Sequence, residues 1–216
     1  VGSFSIRSGA FFAATDQFEI IVEGKGGHAA KPQDTVDSVV VAAHVVTALQ
    51  TISSRNADPV DPVVVSVTSI ESSSKAFNVI AQRTHLKGTI RTMSKDMRAL
   101  AEKRLKAIAA SVCETYGAKA EVKFYHGYPS MVNHAEQTEF AASVATKISG
   151  ACEEAPLVMG GEDFAYMLEE RPGAYILVGN GDTASVHHPE YNFDDEAIPA
   201  GCSWWAGIVE ERMPAG

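Results

Sequence analysis

Apolar and polar positions alternate from Gln17 to Glu23, with Phe18, Ile20 and Val22 on one side and Glu19 and Glu23 among those opposite. Period two over that length predicts a strand. The run Gly24-Lys25-Gly26-Gly27 breaks it. Apolar residues then recur at three or four, at Val36, Val39, Val40, Ala43, Val46 and Leu49, which predicts a helix capped by Asp34 or Thr35. The turn-rich stretch from Asn56 to Pro62 closes that unit. Residues 63–70 and 85–93 are predicted as the second and third strands. Ser94 caps a second helix, with Asp96 in its first turn, Met97, Ala101, Leu105, Ile108 and Val112 along its stripe, and Gly117 just past its end. Residues 118–125 alternate again as a fourth strand. From Asp16 to about Tyr128 the order is β-α-β-β-α-β, the ferredoxin-like split βαβ pattern.

After Gly127-Tyr128-Pro129 the pattern changes. A helix is predicted over 136–148, with Phe140, Val144 and Ile148 in line, and another over 162–170. Residues 174–178 read as an apolar strand buried on both faces. Ile198, Cys202, Trp205 and Val209 mark a last amphipathic helix. One strand among three helices cannot cover a parallel-type strand unaided. This stretch therefore reads as the back end of an α/β domain whose front end is not in the chain.

Composition narrows the function classes. The 216 residues, 45% of them apolar, suffice for two modest domains. With 18 basic against 27 acidic side chains and a net charge of −9, no nucleic-acid or anionic-membrane partner is expected. The longest apolar stretch, from Val39 to Val46, is interrupted by His44 and falls short of the about 20 residues that span a bilayer. Cys113, Cys152 and Cys202 are scattered and odd in number, which predicts neither a disulfide framework nor a zinc knuckle and fits a reducing, cytoplasmic setting. Residues 1–7 carry neither a signal pattern nor an initiator methionine, as expected of a cut through a longer chain.

The candidate chemistry sits in a few blocks. Gly24-Lys25-Gly26-Gly27-His28 holds an imidazole at a strand end behind three glycines; a solvated loop histidine is the plainer reading. Asn78, between Phe77 and Val79, reads equally as a turn cap. Arg91 shares a strand face with Lys87 and Thr89, as a solvent-facing arginine or as a bidentate grip on a carboxylate. Gly160-Gly161-Glu162-Asp163 precedes a predicted helix. It reads either as ordinary acids at a helix start or as a backbone N–H cradle for a carboxylate. Val186-His187-His188-Pro189-Glu190 is the densest knot of metal-capable side chains, or a pair of exposed loop histidines. His44, His85, His126 and His134 have no partners at ligand spacing and read as structural.

Taken together, these blocks resemble one family. With Arg55-Asn56, Asn78-Val79-Ile80, Gly88-Thr89-Ile90-Arg91-Thr92, Tyr128-Pro129, Asn133, Gly161-Glu162-Asp163-Phe164, Pro172-Gly173-Ala174 and Gly179-Asn180-Gly181, the chain is similar to the C-terminal part of metal-dependent aminoacylases and carboxypeptidases. The branch it resembles is that of hippurate hydrolases and indole-acetyl-amino-acid amidohydrolases. The resemblance implies a lid and dimerisation domain at residues 16–128, reached by a linker at 1–15 and followed by the closing segment of the α/β catalytic domain at 129–216. It implies that His28 reaches across a homodimer to polarise the scissile carbonyl. Asn78 and Arg91, on neighbouring strands, would converge on the substrate's backbone and carboxylate, and Gly160 and Gly161 would lie against it. His187 would be the C-terminal metal ligand, with His188 at a variable place.

The family's Cys-x-His-Asp and Glu-Glu ligand blocks do not occur here, and Glu153-Glu154, Glu169-Glu170 and Glu210-Glu211 stand in other contexts. An intact parent would hold two divalent ions (zinc, manganese, cobalt or nickel), and this chain alone is expected to bind none tightly and to be inert. The implied substrate is a small N-acyl-amino acid. The alternatives are a non-catalytic dimerisation or binding module, and a carboxypeptidase acting on short peptides.

Overall fold

In the computed structural model, which describes residues 1–213, the chain groups into two units. One comprises Phe12–Ser130 and Met159–Glu162; the other comprises Val1–Phe11, Met131–Val158 and the residues from Asp163 onward. Along the chain come β1 (Phe4–Ile6), β2 (Gly9–Phe12), β3 (Ala14–Glu23), β4 (Gly27–His28), α1 (Ser38–Leu49), β5 (Val63–Ser72), β6 (Val79–Ile80), β7 (Arg83–Thr92) and α2 (Lys95–Thr115). They are followed by β8 (Lys119–His126), β9 (Met131–Asn133), α3 (Ala135–Ser149), β10 (Cys152–Glu154), α4 (Phe164–Glu170), β11 (Leu177–Val178) and α5 (Ile198–Arg212).

The larger unit is an antiparallel sheet in the order β5-β7-β3-β8, with α1 and α2 packed on it and on each other. Alternation decides which face is covered. Phe18, Ile20 and Val22 of β3 and Leu86 and Ile90 of β7 are fully buried beside Leu49 of α1 and Leu105 of α2. Each such side chain contributes about 1.5–3 kcal/mol. Gly88 makes room for the Phe18 ring, because a Cβ there would come within 2.2 Å of it. Helix α2 starts as predicted: the Ser94 hydroxyl accepts from the Met97 N–H at 3.0 Å, and Gly117 closes the end at φ +75°. Helix α1 starts later than the predicted Asp34 or Thr35 cap. Pro32–Asp34 first make a 3-10 turn, and the Asp37 carboxylate is the one in reach of the Val39 and Val40 N–H groups, at 2.9 and 3.3 Å.

The long segment of this unit begins and ends at one place. Thr15 N–H donates to the Tyr128 carbonyl at 3.0 Å, and Gly127 N–H to the Thr15 carbonyl at 2.8 Å. Asp16 is buried there. Arg98 of α2 grips it with two hydrogen bonds, at 2.9 and 2.6 Å, and Gly127 N–H adds a third at 3.2 Å.

The smaller unit has less sheet. Strand β1 lies between a parallel β10 and an antiparallel β11, and β2 pairs with β9. Residues 1–15, expected as a linker, instead supply β1 and β2, because Phe4, Ile6 and Phe11 bury in the core. The strand predicted over 174–178 shrinks to Leu177–Val178. Its partner β1 offers only Phe4 and Ser5, and Val178 stays 37% exposed rather than buried on both faces. Buried Asn133 knits this unit: its amide donates to the Arg7 and Tyr175 carbonyls at 2.8 and 2.9 Å and accepts from Tyr175 N–H at 2.7 Å. Helix α5 turns a different face inward from the one predicted. Trp204 is in the core, whereas Ile198, Cys202, Trp205 and Val209 are exposed.

Candidate functional site

The ribbon of β4 and β6 extends the antiparallel pair of β3 and β7 past its Glu23–Arg83 end, with His28 opposite Val79 and Gly27 opposite Ile80. Gly24 is required at the start of this extension, since a Cβ would lie 2.1 Å from the Val36 carbonyl oxygen. The Gln82 side chain then bridges the strands, accepting from Gly26 N–H at 2.9 Å and donating to the Gly24 carbonyl at 2.7 Å. His28 is exposed at the tip. Its Nδ1 accepts from the Ala30 N–H at 3.0 Å, so the neutral ring carries its proton on Nε2 and offers it outward.

Asn78 belongs to the same tip. Ala29 N–H donates to its carbonyl at 3.0 Å, and Phe77 and Asn78 are the corner residues of a turn closed by Val79 N–H on the Ala76 carbonyl. Both are exposed, and Phe77, which the sequence reading passed over, is fully so. The structure brings His28 and Asn78 together across 50 residues of chain, through strand pairing with no periodic signal of its own.

Arg91 is elsewhere. It pairs across β3 with Thr15, at the opposite end of the sheet from the ribbon. From Arg83 to Arg91 the strand rises roughly 26 Å at about 3.3 Å per residue. The expected convergence of Asn78 and Arg91 on one small ligand is thus not met within a single chain: neighbouring strands do not bring their opposite ends together. Arg91 donates to the Ile90 carbonyl at 3.0 Å and touches the Thr89 hydroxyl. With Lys87, Gln17 and Tyr125 it lines a depression of about 330 Å³ in the sheet.

Gly160 and Gly161 run beside β3. The Gly160 carbonyl accepts from Ala13 N–H at 3.0 Å, and a Cβ on Gly161 would lie 2.2 Å from the Thr15 side chain. Packing alone demands glycine at 161. Helix α4 begins only at Phe164 and has seven residues, and no side chain caps its Asp163 end.

His187 sits in the loop between β11 and α5, exposed and with φ +71°, a left-handed conformation uncommon for a side-chain-bearing residue. Asn180 braces this loop, donating to the Asn192 carbonyl at 2.7 Å and accepting from Asp194 N–H at 2.8 Å. His188 Nδ1 accepts from Glu190 N–H at 3.1 Å. Among the described residues no three His, Cys, Asp or Glu side chains gather as a metal site. The donors present do not by themselves fit a metal pair. Burial pushes the Cys113 and Cys152 thiols up, so neither is poised as a thiolate nucleophile.

The remaining histidines have structural partners. His44 stacks on Tyr116 at 4.7 Å, His85 meets Glu19 at 3.1 Å, His134 Nδ1 accepts from Gly173 N–H at 3.2 Å, and His126 lies between Asp16 and Glu102. No helix among the described residues is long and apolar enough to cross a membrane.

A profile described as peptidase family M20/M25/M40 matches residues 9–211. An N-acetylcysteine deacetylase of Bacillus subtilis is 32% identical over 209 residues, covering 97% of this chain and 55% of that protein. Thermostable carboxypeptidase 1 of Saccharolobus solfataricus is 35% identical over 206 residues, covering 93% and 52%. Among solved structures, a dinuclear metal binding peptidase of the M20 family from Bacillus subtilis superposes with a TM-score of 0.82 at 27% identity, covering 99% of this chain and 54% of that one. The chain thus spans about half the length of the relatives it matches.

Proposed function

The chain belongs to peptidase family M20/M25/M40, and from that premise we propose that it is the lid and closing segment of a metal-dependent amidohydrolase that cleaves N-acyl-amino acids. On this reading residues 16–128 form a ferredoxin-like lid and 129–216 complete a catalytic domain begun elsewhere in the parent protein. The family's members include deacetylases and a carboxypeptidase. Two divalent ions would be held mainly by residues outside this chain, with His187 as its one contribution.

The observation that carries the reading is the ribbon tip. His28 presents an Nε2–H donor beside Asn78, as an oxyanion stabiliser must. Because Arg91 lies at the far end of the sheet, the two groups serve different sites. His28 and Asn78 are lent to the partner subunit's substrate, and Arg91 grips a carboxylate in its own. Gly160 and Gly161 line the same carboxylate subsite through their backbone. Helix α1 supports the dimer: no charged side chain occurs from Ser38 to Leu49, and Val39 and Val40 are exposed beside the edge strand β5.

Subunit mixing tests this in the full-length parent. His28→Ala and His187→Ala subunits are each expected to be inactive, and their mixture to regain activity at the one site that keeps both groups. If mixing restores nothing while labelled subunits demonstrably exchange, the reading of His28 is wrong. The carboxypeptidase relative favours a second reading, peptide hydrolysis. Turnover of short peptides with a free amino terminus but not of N-acetyl-amino acids would select it.

A further inference from the structure

The uncovered face of the four-stranded sheet carries two cations without a carboxylate partner, and both line one depression. Alternation puts Lys87, Thr89 and Arg91 of β7 on that face. Strand register sets Glu19 opposite Lys87, and Gln17 opposite both Thr89 and Tyr125. Together with Thr68 of β5 these residues line the hollow of about 330 Å³. Short side chains at Thr68 and Thr89, among the long ones of Gln17, Lys87, Arg91 and Tyr125, account for it.

Glu19 is the one acidic residue of the lining, and it is engaged elsewhere. Residues directly opposite across two strands ordinarily bring unlike charges together. Glu19 instead meets His85 at 3.1 Å, and Lys123, its neighbour on β8, meets Glu121 at 3.6 Å. Neither Lys87 nor Arg91 forms an ion pair among the described residues. Strand β7 is central, between β5 and β3, so Lys87 does not guard an exposed edge, a common post for a strand lysine. Arg91 leans toward it: the guanidinium touches the Thr89 hydroxyl, which donates in turn to the Asp16 carbonyl at 2.7 Å. From Thr89 to Lys87 is one further step of the alternation, about 7 Å of strand.

We infer that Lys87 is a specificity-determining residue and that the amino acid released is an acidic one. Arg91 holds the α-carboxylate and Lys87 the side-chain carboxylate of an N-acylated aspartate- or glutamate-like substrate. The inference rests on the reading above, in which Arg91 grips a carboxylate, and adds a second anion beside it. A planar guanidinium takes a carboxylate bidentately, and a flexible ammonium follows the second one. The Gln17 amide and the Tyr125 hydroxyl supply further donors around the hollow. An apolar side chain bound there would strip water from Lys87 and give it no partner in exchange. On a chain of net charge −9, a hollow with two unpaired cations is where an acidic substrate can be held.

Glutarate and butyrate, which differ by one carboxylate, test the hollow directly. Each is titrated into this chain while the amide NMR signals of Gln17 and Thr89 are followed. Glutarate is expected to bind about tenfold more tightly, the effect of one charge-assisted contact. Lys87→Gln should reduce it to the butyrate level and Lys87→Arg should keep the difference, with the spectra themselves reporting that each variant is folded. In the full-length parent, kcat/KM for N-acetylglutamate relative to N-acetylglutamine should fall about tenfold in Lys87→Gln. Equal binding of the two acids, unmoved by Lys87→Gln, overturns Lys87 as a subsite and leaves the Arg91 grip and the amidohydrolase reading standing. Selective glutarate binding, in a protein whose parent does not prefer N-acetylglutamate, overturns the substrate assignment. A parent that hydrolyses no N-acyl-amino acid overturns the amidohydrolase reading and this assignment with it.

Discussion

The two units handle their apolar residues differently. In the sheet of β3, β5, β7 and β8, one contiguous core takes in Phe18, Leu49, Leu86 and Leu105, and α2 turns Lys95, Lys103 and Glu114 outward. In the unit around β1, the buried cluster is Phe4, Ile6, Ala141, Val144, Ala145 and Trp204, while Trp205, Tyr166 and Met167 stay on the surface. The first is a body that can bury what it needs to bury. The second leaves large apolar side chains on its surface beside a small buried cluster.

The comparison breaks most directly at the cores. Phe18→Ala is expected to cost about 3–5 kcal/mol in urea melts. Trp205→Ala in this chain is expected to stay within about 0.5 kcal/mol, the range of exposed positions. A large loss at Trp205 would mean that the smaller unit is better packed than described.

Next comes the buried pair where the long segment of the larger unit begins and ends. Asp16→Ala leaves Arg98 without its bidentate partner and is expected to cost roughly 3 kcal/mol. An unchanged melt would show that the pair is incidental. Gly161→Ala is smaller, about 1–3 kcal/mol of overpacking against Thr15.

The smallest effect is alkaline. Burial raises the Cys113 thiol above its ordinary value of 9.0 in the folded state. Above that pH the unfolded chain sheds the proton first and binds fewer protons than the folded one, so stability falls as pH rises through the folded value. The urea midpoint should therefore drop on the alkaline side. The part of that drop owed to Cys113 should vanish in Cys113→Ala.

Much of the larger unit is legible in its sequence, because each of its strands has one covered face and the period survives. Ser94 and Gly117 announce the ends of α2. The start of α1 is not legible: Asp34, Thr35 and Asp37 are all capable caps within four positions, and the 3-10 turn at Pro32 selects the last. In α5 the periodicity finds the helix and misplaces its face, since Trp204 and Trp205 head two apolar stripes and only packing distinguishes them. Pairing between distant residues leaves no local trace. Neither Asp16 with Arg98 nor His28 with Asn78 has a signal along the chain. The glycine block pointed to His28 as a candidate, and only the ribbon shows which ring nitrogen faces outward.

The hydrogen bonds that join Thr15 to Gly127 and Tyr128 bear on the order in which the chain folds. To the strands on either side, β2 and β9, the intervening residues are a loop. Left unstructured, a loop of about 120 residues would cost roughly 4 kcal/mol in closure entropy before those strands could meet. Once that segment is folded, its two ends stand side by side and β2 and β9 pair as if a tight hairpin joined them. The large unit is therefore expected to fold before the small one. A pulse-labelling hydrogen-exchange experiment should find amides of β3 and β7 protected before those of β9.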